Sequence, residues 1–413
     1  MKLEKYSIGI GDRFGHQGTA QLQALVKAQE KGVQITPVWN KSFREHEIIG
    51  THPDDARKEA DEAVSECSWK ASYFVDADHI GLKNVDLFMN ASNFFTLDVA
   101  DFIGQSEDDD AIESFFQDHR QYLGELMIPG IKEPFHISEE MIRAIARKFL
   151  KGVKEAGRIY NHIASQKDTP FVVEVSMDET DDPQTPVELF FILAAIAGEK
   201  IPAQTIAPKF TGRFNKGVDY IGDKSQFAKE FEQDLAVIAF AVQEFGLPSN
   251  LKLSIHSGSD KFALYPLIKK AIHQFDAGLH LKTAGTTWLE ELIGLAEAED
   301  EGLEIAREIY RSALNRYDEL CRPYATVIDI DRALLPDAGD VDTWNGDRFA
   351  RVLRHNQQEA AYNMHFRQLL HVGYKIAAEM GNRYLDALRK FETSIARNVT
   401  ENLYERHIKS LFL

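Results

Sequence analysis

The stretch K-L-S-I-H-S-G-S-D-K-F-A-L-Y-P at residues 252–266, followed one helix-length later by G-L-H-L-K-T-A-G-T-T-W-L at residues 278–289, decides the fold. Residues 252–256 and 278–282 alternate apolar and polar side chains, the period of a β-strand whose polar residues share one face. Each run puts a histidine near its C-terminal end, His256 and His280, and each is followed by small polar residues, Ser257, Gly258 and Ser259 or Thr283, Ala284 and Gly285. Such loops offer backbone N–H groups to an anion. Two strand ends with the same pattern read as two walls of one site.

Working outward, six more strands are expected at residues 6–10, 33–39, 71–75, 94–99, 171–176 and 205–210, with helix-compatible spacing between most of them. Residues 108–166 read as a long acidic and helical region. Eight strands alternating with helices, each ending in polar or glycine-rich residues, is the pattern of an α/β protein of the (β/α)8 barrel type. A doubly wound sheet is disfavoured, because G-I-G-D-R-F-G at residues 9–15 lacks the spacing of a dinucleotide-binding turn. No nicotinamide is therefore expected. From residue 288 the apolar residues recur at helical spacing, with a break at 334–345 that contains Pro336. The expected division is a catalytic barrel over 1–287 and a C-terminal helical extension over 288–413.

The 413 residues carry a formal charge of −18, spread over short acidic patches. Phosphate-backbone binding needs a concentrated basic surface, so a nucleic-acid partner is not expected. The N-terminus lacks a signal-peptide pattern, and no apolar run is long enough to cross a bilayer. Only Cys67 and Cys321 are present, far apart, which indicates neither a disulfide framework nor a thiolate zinc site. A cytoplasmic enzyme is the expectation, with self-association into a homo-oligomer open.

In a barrel, alternate strand residues point inward and those at the C-terminal ends reach the site. Glu174, His256 and His280 would lie at similar heights on strands five, seven and eight, a donor set for a divalent metal with open positions. Zinc, manganese, iron and nickel all suit it. Asp76 and Asp78 face the same way and read as a general base with a partner carboxylate, with His79 beside them; an Asx turn or helix cap is the bland alternative. Lys282, Lys261, Arg13 and Arg44 are cations among small polar residues at the expected mouth, which points to an anionic substrate. The alternative is that they neutralise neighbouring acids, as Asp260 could do for Lys261. Of the C-terminal histidines His355, His365 and His371, only the R-Q-L-L-H segment at 367–371 suggests a lid contact.

These stretches together resemble the tagaturonate/fructuronate epimerase family of hexuronate catabolism. The resemblance rests on G-I-G-D-R-F-G at 9–15, D-A-D-H at 76–79, E-V-S-M-D-E-T at 174–180, K-G-V-D-Y-I-G-D at 216–223, S-I-H-S-G-S-D-K-F at 254–262, H-L-K-T-A-G-T at 280–286 and R-Q-L-L-H-V at 367–372. Members compared carry a longer region ahead of the first motif. The resemblance implies a metal-dependent barrel enzyme that interconverts D-tagaturonate and D-fructuronate at C4, with Glu174, His256 and His280 as ligands. Asp78 or Asp76 would be the base and Lys282 its helper. Arg13, Ser257, Ser259 and Lys261 would hold the C6 carboxylate, and Ser42, His79, Asp178, Lys209 and Thr283 are the other expected substrate contacts. Rival expectations are a metal-dependent ketose or sugar-acid isomerase or aldolase on the same site, and a non-catalytic sugar-acid binding protein.

Overall fold

The computed structural model describes residues 1–178 and 180–413; Glu179, within the 174–180 motif, lies outside the described residues, as does the side chain of Ala284. Eight parallel strands close into a barrel in the order β1-β10-β9-β8-β7-β4-β3-β2. They are β1 (Tyr6–Ile10), β2 (Thr36–Ser42), β3 (Phe74–Ile80), β4 (Phe94–Asp98), β7 (Val172–Ser176), β8 (Thr205–Ala207), β9 (Lys252–Ile255) and β10 (Leu279–Lys282). The remaining two, β5 (Gly124–Leu126) and β6 (Phe135–Ile137), form an antiparallel hairpin inside the region expected to be helical. Runs of three residues are too short to show a period, so the hairpin left no trace in the pattern.

All eight expected barrel strands are present, with shifted ends in β2 and β3. Both begin three residues later than the alternation suggested, and β3 includes D-A-D-H instead of ending before it. Polar residues belong inside that strand because they point into the barrel, where other polar groups receive them. The barrel interior is graded along its axis. Leu3, Val38, Phe74, Phe94 and Val172 form an apolar plug at the N-terminal end. One pleat above, the His280 ring stacks near Phe94 at 5.5 Å and its Nδ1 shares a hydrogen bond with Ser7 Oγ at 2.8 Å. Above that come Asp76, Thr96 and Glu174, placed side by side by the β3–β4 and β4–β7 registers.

The outer faces of the strands pack on helices that include Gly18–Glu30, Glu139–Gln166, Pro186–Gly198 and Lys224–Phe245. A second apolar cluster, centred on Trp288, Tyr310 and Tyr384, is built from the C-terminal helices and reaches Phe14 in the loop after β1. The last residues return to the barrel: Leu403, Ile408, Leu411 and Phe412 join its outer core, and the Phe412 ring lies 5.1 Å from Tyr6. The segments Asn402–Ile408 and Lys409–Phe412 thereby lie between the first barrel helix and Tyr265–Gln274, in the place of an eighth barrel helix. Among the described residues no helix is long and apolar enough to cross a membrane.

A buried ionic cluster fastens the C-terminal helices to the loop after β9. Asp260 accepts from Arg367 Nη2 at 3.1 Å and from Thr286 Oγ1 at 2.9 Å, and lies 3.1 Å from His355 Nδ1. Its partners are thus Arg367 and His355, not the adjacent Lys261. The Asp260 backbone N–H donates to His407 Nε2 at 3.2 Å, while His407 Nδ1 faces the Asn402 carbonyl at 3.1 Å. An imidazole that accepts at one nitrogen and donates at the other must be neutral, and burial pushes His407 down to about 4. Because this folded value lies below the unfolded one, the unfolded chain takes up the proton first. Stability is therefore lost as pH falls from about 6.5 to about 4, by at most ~1.4 kcal/mol per pH unit from this group. Denaturation midpoints measured between pH 7 and 4.5 should fall less steeply in His407→Gln than in the parent protein.

Candidate active site

Lys282 is the centre of the upper barrel. Its Nζ lies 3.1 Å from Asp76 Oδ2, 2.7 Å from Asp78 Oδ1, 3.0 Å from Glu174 Oε1 and 2.8 Å from Thr96 Oγ1, with the lysine 6 % exposed. Gly9 opposite β10 makes room for its stem: a Cβ there would sit 2.9 Å from Lys282 Cγ. Burial alone would drive the ammonium neutral, but three surrounding carboxylates hold its pKa well above the usual lysine value. Burial raises Asp76 to about 7. Asp78, although equally desolvated, is held well below the ordinary range by Lys282 and His79. Asp76 has no exposed side-chain surface, whereas Asp78 keeps 11 %.

Two histidines are oriented by these carboxylates. Glu174 Oε1 lies 2.7 Å from His256 Nε2, and Asp78 Oδ1 lies 3.0 Å from His79 Nδ1. Each ring therefore turns its other nitrogen toward Asp178, whose Oδ1 is 2.9 Å from His256 Nδ1 and 3.7 Å from His79 Nε2. Both nitrogens are buried without a hydrogen-bond partner. His79, Asp178 and His256 place one donor atom each within 4.8 Å of one another, and they form the one such group among the described residues. Two imidazoles backed by carboxylates, with a third carboxylate between them, fit a divalent cation.

This grouping differs from the expected ligand set. Only His256 of the expected trio belongs to it. Glu174 meets His256, Lys282 and Thr96 through Oε1 and keeps Oε2 buried without a partner, and His280 lies in the layer below, fully buried and pushed down to about 3 by burial. Strict alternation also hides His79. A register shift in β3 between Ala77 and Ile80, with His79 at φ 54°, turns two consecutive residues, Asp78 and His79, toward the mouth. Asp178 arrives from the loop after β7 and accepts from Ser176 Oγ at 2.5 Å.

Several expected substrate contacts are committed elsewhere. Lys261 is buried and donates to the carbonyls of Asn215, Val218 and Ser259 at 2.8–3.0 Å, which makes it a loop staple. Ser259 is buried beside it. Ser42 caps the helix Phe43–Ile49, accepting from the Glu45 N–H, and Thr283 donates its hydroxyl to the Gly9 carbonyl at 3.0 Å. Lys209 donates to the carbonyls of Thr180 and Asp181. Arg13 pairs through Nε with Glu45 at 3.1 Å and stacks on Tyr374. Ser257, at φ 48°, lines the opening. His371 is buried, with its ring beside Gly285 and Gly217.

The mouth is a cavity of about 420 Å³ whose lining includes Asp178, His256 and Ser257 from the barrel and Tyr324 and Val327 from the C-terminal helical region. Lys216 and Tyr324 carried no strand-end signal, since one sits in a long loop and the other between helices.

A closed parallel barrel with a histidine–carboxylate group over a buried lysine cluster, all at the C-terminal strand ends, defines a TIM-barrel enzyme for a small polar substrate. The chain belongs to the tagaturonate epimerase (UxaE) family, whose sequence model matches residues 1–411. It is 27 % identical over 423 residues to the tagaturonate/fructuronate epimerase of Thermotoga maritima, covering 98 % of this chain and 80 % of that protein. Its fold matches crystal structures of fructuronate-tagaturonate epimerase from Cohnella laeviribosi. The glycerol-complexed form superposes with a TM-score of 0.82 at 21 % identity and the native form with 0.80 at 22 %, each over the whole of this chain and 82 % of that one.

Lys282→Met would leave Asp76, Asp78 and Glu174 crowded without their cation. Removing one partner of a buried ionic group costs about 3–5 kcal/mol. Urea denaturation should show a loss of that order, and turnover should vanish in whatever fraction remains folded.

Proposed function

We propose that this chain interconverts D-tagaturonate and D-fructuronate by inverting C4, with residues 1–287 as the catalytic barrel and residues 288–413 as a helical extension that walls the mouth. The observation that carries the reading is the His79–Asp178–His256 group beside Asp78 and Lys282, in a chain of this family. A divalent cation held by those three residues would supply Lewis-acid polarisation of the substrate's keto group.

The two sugars are 2-keto hexuronates, and the C4 hydrogen is not adjacent to the C2 carbonyl. Direct removal of that hydrogen would give a carbanion without enolate stabilisation. Retro-aldol cleavage avoids the difficulty. The C4 hydroxyl proton passes to a base, the C3–C4 bond breaks with its electrons flowing toward C2, and C4 becomes an aldehyde. The aldehyde turns, the bond re-forms on its other face, and the proton returns. Asp78 suits the base. Its Oδ1 is held by Lys282 and His79, its Oδ2 accepts no hydrogen bond among the described residues, and its side chain keeps some exposure where that of Asp76 has none. Lys282, kept protonated by its neighbours, stabilises negative charge developing on the substrate. Asp76, deeper and shared with Thr96, fixes the lysine.

Purified protein incubated with D-fructuronate should yield D-tagaturonate by NMR, lose activity with chelator and regain it with an added divalent metal. In D2O the product should carry no deuterium at C4; label there would overturn the cleavage route. Metal content separates the two ligand sets. His79→Ala and Asp178→Ala should bind the ion at least tenfold more weakly, the lower end of what loss of a supporting ligand contact costs, whereas His280→Ala should keep it.

A further inference from the structure

The cavity lined by Asp178 and His256 is also lined by cations. Four basic residues line the cavity, Arg44, Lys209, Arg213 and Lys216. Lys209 is spent on backbone carbonyls, and Arg213 pairs with Asp329 at 3.2 Å and reaches the Ile328 carbonyl. Arg44 and Lys216 take part in no ion pair among the described residues. Their charged ends instead approach one aromatic ring, Tyr324, at 5.0 Å and 6.0 Å from its centroid. Tyr324 shares a hydrogen bond of 3.0 Å with the Tyr374 hydroxyl, and Arg13 lies 4.2 Å over the Tyr374 ring. Arg13 Nη1 is buried with no partner, while Nε of that guanidinium is engaged by Glu45. At Gly285 a Cβ would come within 3.1 Å of His371 Nε2 and 3.8 Å of Arg13 Nη2, so the absent side chain keeps this corner open.

Arg44 and Lys216 thus present positive charge at the cavity with no acidic partner among the described residues to take it. Among the described residues, the acidic side chains lining the same cavity are Asp178, committed to the two histidines, and Asp181. The free donors therefore share one cavity with Asp178 and His256 of the histidine–carboxylate group. That is the arrangement required by a short molecule with a carboxylate at one end and a ketone near the other.

We propose that Arg44 and Lys216, backed by Tyr324, form the subsite for the substrate's C6 carboxylate and set the preference for uronates over neutral ketohexoses. This inference rests on the sugar-acid reading of the site. Tyr324 belongs to the helical extension, so the extension contributes to selectivity while the barrel supplies the reacting groups. Arg44 and Lys216 replace Lys261 and Ser259, which the structure uses to staple a loop.

The test compares D-fructuronate with D-fructose, its neutral C6-hydroxymethyl counterpart, on metal-loaded parent protein and on Arg44→Met and Lys216→Met. A hydrogen bond to a charged group is worth about ten- to a hundredfold in affinity. Each variant should raise the KM for fructuronate by that factor with kcat within a few fold, lower the fructuronate-to-fructose ratio of kcat/KM to match, and keep its melting temperature. Lys216→Arg should restore most of the ratio, and added salt should raise KM more in the parent than in the double variant. An unchanged KM in both methionine variants would overturn the subsite, as would an equal loss for the two sugars. If the parent turns over neither sugar, the reaction reading fails by itself. Calorimetric titration with the same two sugars then decides the subsite: fructuronate binding weakened selectively in the variants upholds it, and equal binding overturns it.

Discussion

The upper half of the barrel depends on one buried ammonium. Lys282 stands among Asp76, Asp78 and Glu174 with almost no solvent to share the charge. Desolvating four ionised groups is expensive, and their mutual attraction offsets that cost only with close, hydrogen-bonded geometry. The geometry is supplied by strand register, which sets Thr96 between Asp76 and Glu174 and puts Gly9 opposite the lysine stem. Once these oxygens are committed, the orientation of both upper histidines follows, because each gives one ring nitrogen to a carboxylate and has only the other to present to Asp178.

Charge balance explains why the group suits a cation. Four carboxylates, Asp76, Asp78, Glu174 and Asp178, surround a single lysine and two histidines in a space from which water is largely excluded. A divalent ion would offset that excess at the one place where three donor atoms already converge. The layer beneath, with His280 neutral against Phe94 and Ser7, is a transition to the apolar plug and holds the polar cluster at the mouth end.

The helices after residue 287 are more than a decoration of the barrel. Their final turns occupy the position of an outer barrel helix, Arg367 neutralises Asp260 in the loop after β9, and Tyr324 walls the cavity. The same helices therefore stabilise a catalytic loop and shape the space above it, so truncating them would disturb both.

The number of barrel strands, their order and the presence of ionisable residues at their C-terminal ends were legible from the sequence, because alternation and punctuation are local properties of the chain. The group in the upper barrel was partly legible: His256, Asp76, Asp78 and Lys282 lie on the inward face where alternation puts them. The partner set was not. His79 faces the mouth because of a shift in the β3–β4 register, Asp178 because of the path of a loop, and His280 is lost to the site because it lies one pleat too deep. The free or committed state of each cation was equally hidden, since it depends on which carbonyls a loop brings to Lys261 and which ring the C-terminal helices bring to Arg44 and Lys216. The sequence by itself determined the barrel and the chemistry available at its rim. Only the tertiary structure decided which of those groups meet, because depth along a barrel axis and the approach of segments more than a hundred residues apart are not encoded in any local period.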